Sequence, residues 1–202
     1  MLRFWQLWIV AALLFVPVGV RAQSTLVSDL AAGKLLVARE TDRRFAETVI
    51  LLIDYDSQGA LGITINRRSD TPISAALRHA EEWSDLIFLG GPVQMSSVFA
   101  LLRSKEKKEE MKPVIEQVYW VADRTALEKI LADGPKATQV RFYLGYSGWG
   151  AGQLDNEVRA GSWYIFDANA DEVFDAQPGT LWKRLKEKTE QRFARLRQIP
   201  AN

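Results

Sequence analysis

The chain has 202 residues, 48% hydrophobic and 25% charged, with a formal net charge of +1, seven Trp, one His and no Cys. Such a composition sets aside an intrinsically disordered chain, and the missing cysteine excludes disulfides, thiolate nucleophiles and Cys-ligated metal. The near-neutral charge gives no overall pull toward nucleic acid, whose binding rests on many Lys and Arg contacts to phosphate.

Arg3 precedes an apolar run of 13 residues, Phe4 to Val16, interrupted only by Gln6. Pro17 and Gly19 break it, and Val20-Arg21-Ala22 places small residues at the first and third positions before a cut ahead of Gln23. This is the pattern of a secretory signal peptide. The run falls short of the roughly 20 residues of a membrane span, so an uncleaved N-terminal anchor is the alternative. The expectation is a signal peptide at 1–22, export to the periplasm, and one folded domain at 23–202. Removing 1–22 leaves 180 residues with 24 basic against 25 acidic side chains, enough for one sizeable core.

Leu35 to Ala38 reads as a short first strand, followed by a charged connection, Arg39 to Arg44, that Phe45 anchors. The β-branched run Val49-Ile50-Leu51-Leu52-Ile53 suits a central strand covered on both faces. After the turn chemistry of Asp56-Ser57-Gln58-Gly59, Leu61, Ile63 and Ile65 alternate with Gly62, Thr64 and Asn66, which predicts a hairpin. Ser69-Asp70-Thr71-Pro72 carries helix-start signals, and Ile73, Leu77 and Ala80 space the buried side of a short helix. Strands follow at Leu86–Leu89, ending on Gly90-Gly91-Pro92, and at Val98–Leu102, with the charged stretch Arg103 to Lys112 interrupting the pattern. Gln117–Val121 is another strand, and Asp123 caps a helix bearing Leu127, Ile130 and Leu131. Val140–Leu144 forms the next strand, then a glycine-dense turn, a helix over Gln153–Val158 and a strand over Trp163–Phe166. A final helix from Thr180 repeats Trp182, Leu185, Phe193 and Leu196 at helical spacing, with Thr189 in the gap.

Several sequence patterns invite a reaction and then fail. Gly145-Tyr146-Ser147-Gly148-Trp149 approaches the nucleophile elbow, but Trp149 replaces its last Gly and the single His79 precedes the serine. Gly148-Trp149-Gly150-Ala151-Gly152-Gln153 approaches a dinucleotide fingerprint, with Gln153 where Gly or Ala belongs. Asp167-Ala168-Asn169-Ala170-Asp171 opens like a calcium loop, yet Glu172 stands at the sharp-turn Gly and Pro178 at the twelfth position. No cofactor or metal is therefore expected. Two features remain as candidates. Gly90 and Gly91 could floor a groove shared with Trp149, to which Asn66 and Gln153 would lend polar groups, or else both glycine segments only shape the backbone. The final helix carries a basic excess in which Arg192, Arg195 and Arg197 are candidate contacts to an anionic surface, against a solvated basic face as the plainer reading.

Taken together, Gly59-Ala60-Leu61-Gly62-Ile63-Thr64-Ile65-Asn66-Arg67, Gly90-Gly91-Pro92-Val93 and Leu144 to Leu154 resemble the AlgH/YqgE family over about 33–188. The resemblance implies an α+β fold in which a forked, curved, mixed or antiparallel sheet curls into a partial barrel flanked by helices. It agrees with the excess of consecutive strands. Its members are often labelled transcriptional regulators, without a settled biochemical activity. The match is weakest at the start: Ala38-Arg39-Glu40 and Asp42-Arg43-Arg44-Phe45 depart from the family's Met-Pro and Asp-Pro-x-Phe patterns. Its frequent His near the hairpin turn is missing near Tyr55, and Asn66-Arg67-Arg68 replaces Asn-Lys/Arg-Pro.

Three functions stand open from sequence. The first is a non-catalytic binding or interaction module in the cell envelope, its partner a protein, a small ligand or an anionic membrane surface. The second is a cytoplasmic transcriptional regulator, acting directly or through a partner; the neutral charge and the absence of a helix-turn-helix signature weaken direct DNA contact. A third is an enzyme or ligand binder with its site between Gly90-Gly91 and Gly145–Gly152, using carboxylates such as Asp54, Asp155 or Asp167.

Overall fold

The computed structural model of the protein describes residues 23–39, 46–108, 111–134 and 139–197, without the side chains of Gln23 and of 192–197. The expected leader at 1–22 and the Phe45 anchor lie outside the described residues, as do the side chains of Arg192, Phe193, Arg195, Leu196 and Arg197.

In chain order the strands are β1 (Gln23–Ser24), β2 (Lys34–Ala38), β3 (Val49–Asp56), β4 (Gly59–Thr64), β5 (Arg68–Pro72), β6 (Leu86–Leu89), β7 (Val93–Arg103), β8 (Lys112–Ile115), β9 (Val118–Val121), β10 (Val140–Gly150) and β11 (Trp163–Asp167). The helices are α1 (Ile73–Ala76), α2 (Arg124–Ala132), α3 (Gln153–Arg159), α4 (Ala170–Val173) and α5 (Pro178–Arg197). One curled sheet runs β1-β11-β2-β3-β4-β10-β7-β9-β8, with β6 also against β10 and β5 beyond it. Every pairing described is antiparallel except β6 with β10. The α+β half-barrel expected from the sequence is present.

The hairpin forms as its alternation predicts, with Ile50 opposite Thr64 and Asp56 opposite Gly59. Asp56 Oδ1 closes the turn by accepting from the amides of Gln58 and Gly59 at 2.7 and 3.2 Å. All five residues from Val49 to Ile53 are buried, because β3 is covered on both faces. Leu51 and Ile53 join the core that α5 covers with Leu181, Trp182 and Leu185. Ile50 and Leu52 face α3 through Leu154 and Val158. A third core lies between α2 and the β6–β10–β7 half, where Leu127, Ile130 and Leu131 meet Ile87, Ala100 and Phe142. Asp123 caps α2 as expected, accepting from the Ala126 amide at 2.9 Å, and Thr189 fills the gap in the α5 stripe at 1% exposure, donating to Leu185 O.

Four expectations are corrected. The glycine-dense run after Leu144 is not a turn but the second half of β10, and only Ala151-Gly152 turns into α3. Its glycines serve close backbone approach and a bulge: the register shifts between Leu144 and Tyr146, with Gly145 at φ 66°. Secondly, the helix expected after Ser69-Asp70-Thr71-Pro72 shrinks to Ile73–Ala76, and Arg68–Pro72 is β5. Ser69 spends its hydroxyl on Ile87 O at 2.7 Å rather than on capping, and His79 sits at φ 61°, which no helix continues. Ile73 and Ala80 are nonetheless buried. Third, β7 begins at Val93 rather than Val98, and the charged stretch before Met111 leads into an unforeseen edge strand, β8. Lastly, the Asp167–Asp171 segment, which opens like a loop in the sequence, runs from the end of β11 at Asp167 into α4 at Ala170, whose N-cap Asn169 accepts from the Glu172 amide at 2.8 Å.

Candidate functional site

Gly90 and Gly91 lie in the middle of the sheet, at the point where it forks. The Gly90 amide donates to Leu144 O and the Thr64 amide donates to Gly90 O, each at 2.8 Å, so this residue links β4 to β10. A Cβ on Gly90 would stand 2.2 Å from Gly145 O, and one on Gly91 2.2 Å from the Tyr146 carbonyl carbon. The space above both glycines is therefore taken by the Gly145–Ser147 backbone. Along the same edge, β10 pairs first with β6 at Tyr143 and Leu144, then with β4 from Ser147 to Gly150. The Gly145 bulge is where one partner replaces the other.

Trp149 is buried beyond that bulge, edge to face with Trp163 at 6.4 Å between ring centroids. Both indole N–H groups donate to Glu157 Oε2 at 2.9 Å. Gln153, one helical turn before Glu157 on α3, donates from Nε2 to Oε1 at 3.3 Å and accepts the Gly150 amide on its own Oε1 at 3.2 Å. Glu157, 9% exposed, thus collects three donors, as a buried carboxylate must. The sequence reading missed it. Its signal was an acid on the Leu154–Val158 face of an amphipathic helix, one turn after Gln153, with two tryptophans within eight residues.

Asn66 belongs to a different place. Its Oδ1 accepts the Val49 amide and its Nδ2 donates to Glu47 O, both at 2.8 Å, closing the loop that enters β3. The three carboxylates considered as acids or bases are also kept apart. Asp54 is bonded to Lys112 and Asp167 to Lys34, each at 2.5 Å, while Asp155 accepts the Tyr55 hydroxyl at 2.9 Å. Burial raises Tyr55 above the usual phenol range, helped by the Asp155 hydrogen bond and charge and opposed by Arg159.

Two of the open hollows on the surface differ in lining. One, of about 440 Å³, is formed by Tyr55, Asp56, Ser57, Gly152, Asp155 and Arg159 among others. The larger, about 900 Å³, lies between the end of β7 and α2, with Lys105, Lys107, Lys108 and Lys129 on its walls beside Glu106 and Asp133. Neither takes in Gly91, Trp149 or Gln153. The structure therefore joins Trp149 to Gln153 through Glu157, seats Gly90 and Gly91 on β10, and leaves Asn66 elsewhere. Among the described residues no three His, Asp or Glu side chains form a metal-ligating group.

These features define an α+β protein whose curled sheet forks around one long bulged strand. A family model described as AlgH-like matches residues 35–194, and the chain belongs to that family. A UPF0301 protein of Chlorobium luteolum is 35% identical over 158 residues, covering 77% of this chain and 84% of the relative. Another, from Cytophaga hutchinsonii, is 32% identical over 160 residues, covering 77% and 88%. The solution structure of the AlgH protein from Pseudomonas aeruginosa aligns with a TM-score of 0.65 at 26% identity, over 85% of this chain and 95% of that one. A crystal structure of a Corynebacterium diphtheriae protein shares the fold, with a TM-score of 0.68 at 20% identity over 79% and 87%. None of these names states an activity.

Proposed function

We propose that the protein is a non-catalytic binding and interaction module of the AlgH-like family that acts in the cell envelope. The observation that carries this reading is β1. In it Gln23, the first residue after the expected cut, pairs with Phe166 and Ser24 pairs with Ile165. A sheet that takes in Gln23 and Ser24 is compatible with a cut just ahead of them. The carboxylates of the catalytic reading, Asp54, Asp155 and Asp167, are each engaged by another side chain, Lys112, Tyr55 and Lys34, and the groove residues Asn66 and Gln153 are spent on internal hydrogen bonds, so the interaction surface is sought elsewhere on the molecule.

The basic helix α5 supplies the partner. In its described half, Arg184 pairs with Asp175, Lys186 with Glu190, and Lys188 lies 3.9 Å from Glu172. The other basic residues of the helix are Lys183, Arg192, Arg195 and Arg197, and the three arginines near its end suit an anionic phospholipid surface. Fractionation of the native bacterium with intact-mass analysis tests the reading: a periplasmic product beginning at Gln23 is expected. A cytoplasmic, uncut chain overturns the envelope role. In parallel, retention on vesicles containing phosphatidylglycerol falls on neutralising Arg192, Arg195 and Arg197 together; unchanged retention removes the membrane surface as partner.

A further inference from the structure

A small cavity of about 140 Å³ opens where β5 and β6 diverge from the lower half of β10, at the start of α5. At about 30 Å³ per water, it has room for roughly four or five waters. Its lining is unlike that of the two open hollows, because it includes two arginines, Arg68 from β5 and Arg141 from β10, against one acid, Asp85. Ala176 and Pro178 form another wall, so the first turn of the 20-residue helix α5 borders the same space. A helix start adds a partial positive charge there.

Arg141 is fixed before any ligand arrives. Its guanidinium lies 4.8 Å from the ring centre of Phe88 and 5.7 Å from that of Phe174. One terminal nitrogen donates to Val173 O at 2.9 Å and the other to Asp175 O. Five N–H donors on the fork leave others beyond these two bonds, one within reach of the buried Tyr143 hydroxyl and the rest open to a further acceptor. Burial holds Arg141 below the usual arginine range and the charge of Arg68 acts the same way, while Tyr143 and Asp175 oppose them. Arginine keeps its proton across such shifts, so a desolvated cation faces a second one across a small space. Arg68 is differently placed: its only described ion pair is with Asp85 at 3.5 Å, and both side chains are partly exposed, at 47% and 34%. A loose pair of that kind contributes little and opens easily.

We propose that this cavity binds a phosphate-sized oxyanion between Arg68 and Arg141, and that Asp85 is the internal competitor which the ligand displaces from Arg68. Two planar forks match a tetrahedral oxyanion better than they match the single Asp85 carboxylate, and the α5 start contributes its dipole without a donor, since Pro178 carries no N–H. The carboxylate of Asp175 does not compete for the site, since it is engaged by Arg184 and by the Gln177 amide.

Titration of the purified protein with inorganic phosphate, at ionic strength balanced with chloride, tests this by calorimetry and by phosphorus NMR line width. Saturable binding at one site is expected. Arg68→Gln, a change at an exposed side chain that leaves the core intact, weakens it by about tenfold or more, the scale of a lost charge-assisted hydrogen bond. Asp85→Asn, by removing the competitor, tightens it severalfold. No saturable binding, or equal binding by wild type and both variants, overturns the proposal. Vesicles containing phosphatidic acid separate the sources of the phosphate. Competition with inorganic phosphate assigns the site to a lipid headgroup, and its absence to a soluble phosphate or phosphate monoester; weakened phosphate binding in Arg68→Gln is required in either case.

Discussion

Trp149 and Trp163 stand edge to face on either side of α3's buried carboxylate, and their indole N–H groups end on the same oxygen of Glu157. One side chain therefore satisfies the polar atoms of two large aromatic residues from β10 and β11. Replacing it with Leu strands both N–H groups in the core. At about 1–3 kcal/mol for each unsatisfied buried donor, Glu157→Leu is expected to destabilise the fold by roughly 2–6 kcal/mol, read as a lower urea midpoint. Glu157→Gln keeps one oxygen for the indoles but turns an amide toward Gln153, and its loss should be about 1–2 kcal/mol. Equal stability of wild type and Glu157→Leu would show that the two indoles find other acceptors.

Two glycine substitutions should move stability in opposite directions. Gly90→Ala places a methyl group 2.2 Å from Gly145 O and 2.7 Å from Ile63 Cδ1, in the seam where β4 and β6 both meet β10. The backbone cannot retreat without opening the fork, so a loss of about 3 kcal/mol or more is expected in chemical denaturation. Gly179→Ala, in the first turn of α5 with nothing within 4 Å of the added carbon, should stabilise by about 0.5–1 kcal/mol. A neutral Gly90→Ala would refute the seam.

Asn66→Ala removes the acceptor of the Val49 amide and the donor to Glu47 O at a residue only 7% exposed. The expected loss is about 1–3 kcal/mol. Hydrogen exchange at Val49 should accelerate with it, while the amides of α2 keep their protection. If exchange rises uniformly instead, Asn66 supports the whole sheet rather than the entry to β3.

Asp175 gives the fold an acid-sensitive contact. Burial alone would raise its carboxyl, but the Arg184 hydrogen bond, the Gln177 amide and the charges of Arg184 and Arg141 outweigh it, holding the group below the usual aspartate range. A depressed folded value means that the stabilisation is complete above the unfolded value near 4 and is lost as the pH falls through the folded one. Wild type should exceed Arg184→Met by about 1 kcal/mol or less between pH 5 and 8, given that Arg184 is 44% exposed. The gap should close below about pH 4. A gap that persists at pH 2 would assign it to packing of the Arg184 stem.

Local patterns carried the elements whose stabilising contacts are close in sequence. Asp123 three residues before Ala126, Asp56 before Gly59 and the Val49–Ile53 run each announce a cap, a turn or a buried strand through neighbours alone. What escaped depends on partners far along the chain. Gly145 to Gly150 reads as a turn because glycine is usually one, yet here its missing side chains admit β4 and the Gly90-Gly91 link, some 55–90 residues earlier. Ser69 looks like a cap until β5 pairs with β6, where its hydroxyl donates to Ile87 O and accepts the Thr71 amide within the strand. Glu157 and Arg141 were passed over for the same reason: a buried charge looks like a surface one until Trp149 and Trp163, or Phe88 and the α4–α5 connection, close around it.

Because β10 joins residues 59–62, 88–89 and 93–102, and β11 then seals β1 and β2, no half of this sheet is finished until the last third of the chain exists. Long-range pairing of this kind slows folding, since loop closure precedes any reward from contact. A ribosome-bound chain lacking residues beyond 139 would hold its strands without the one that organises them. Completion of the fold is thus a late event in synthesis: the earlier strands wait for β10 and β11 to emerge before the sheet can close.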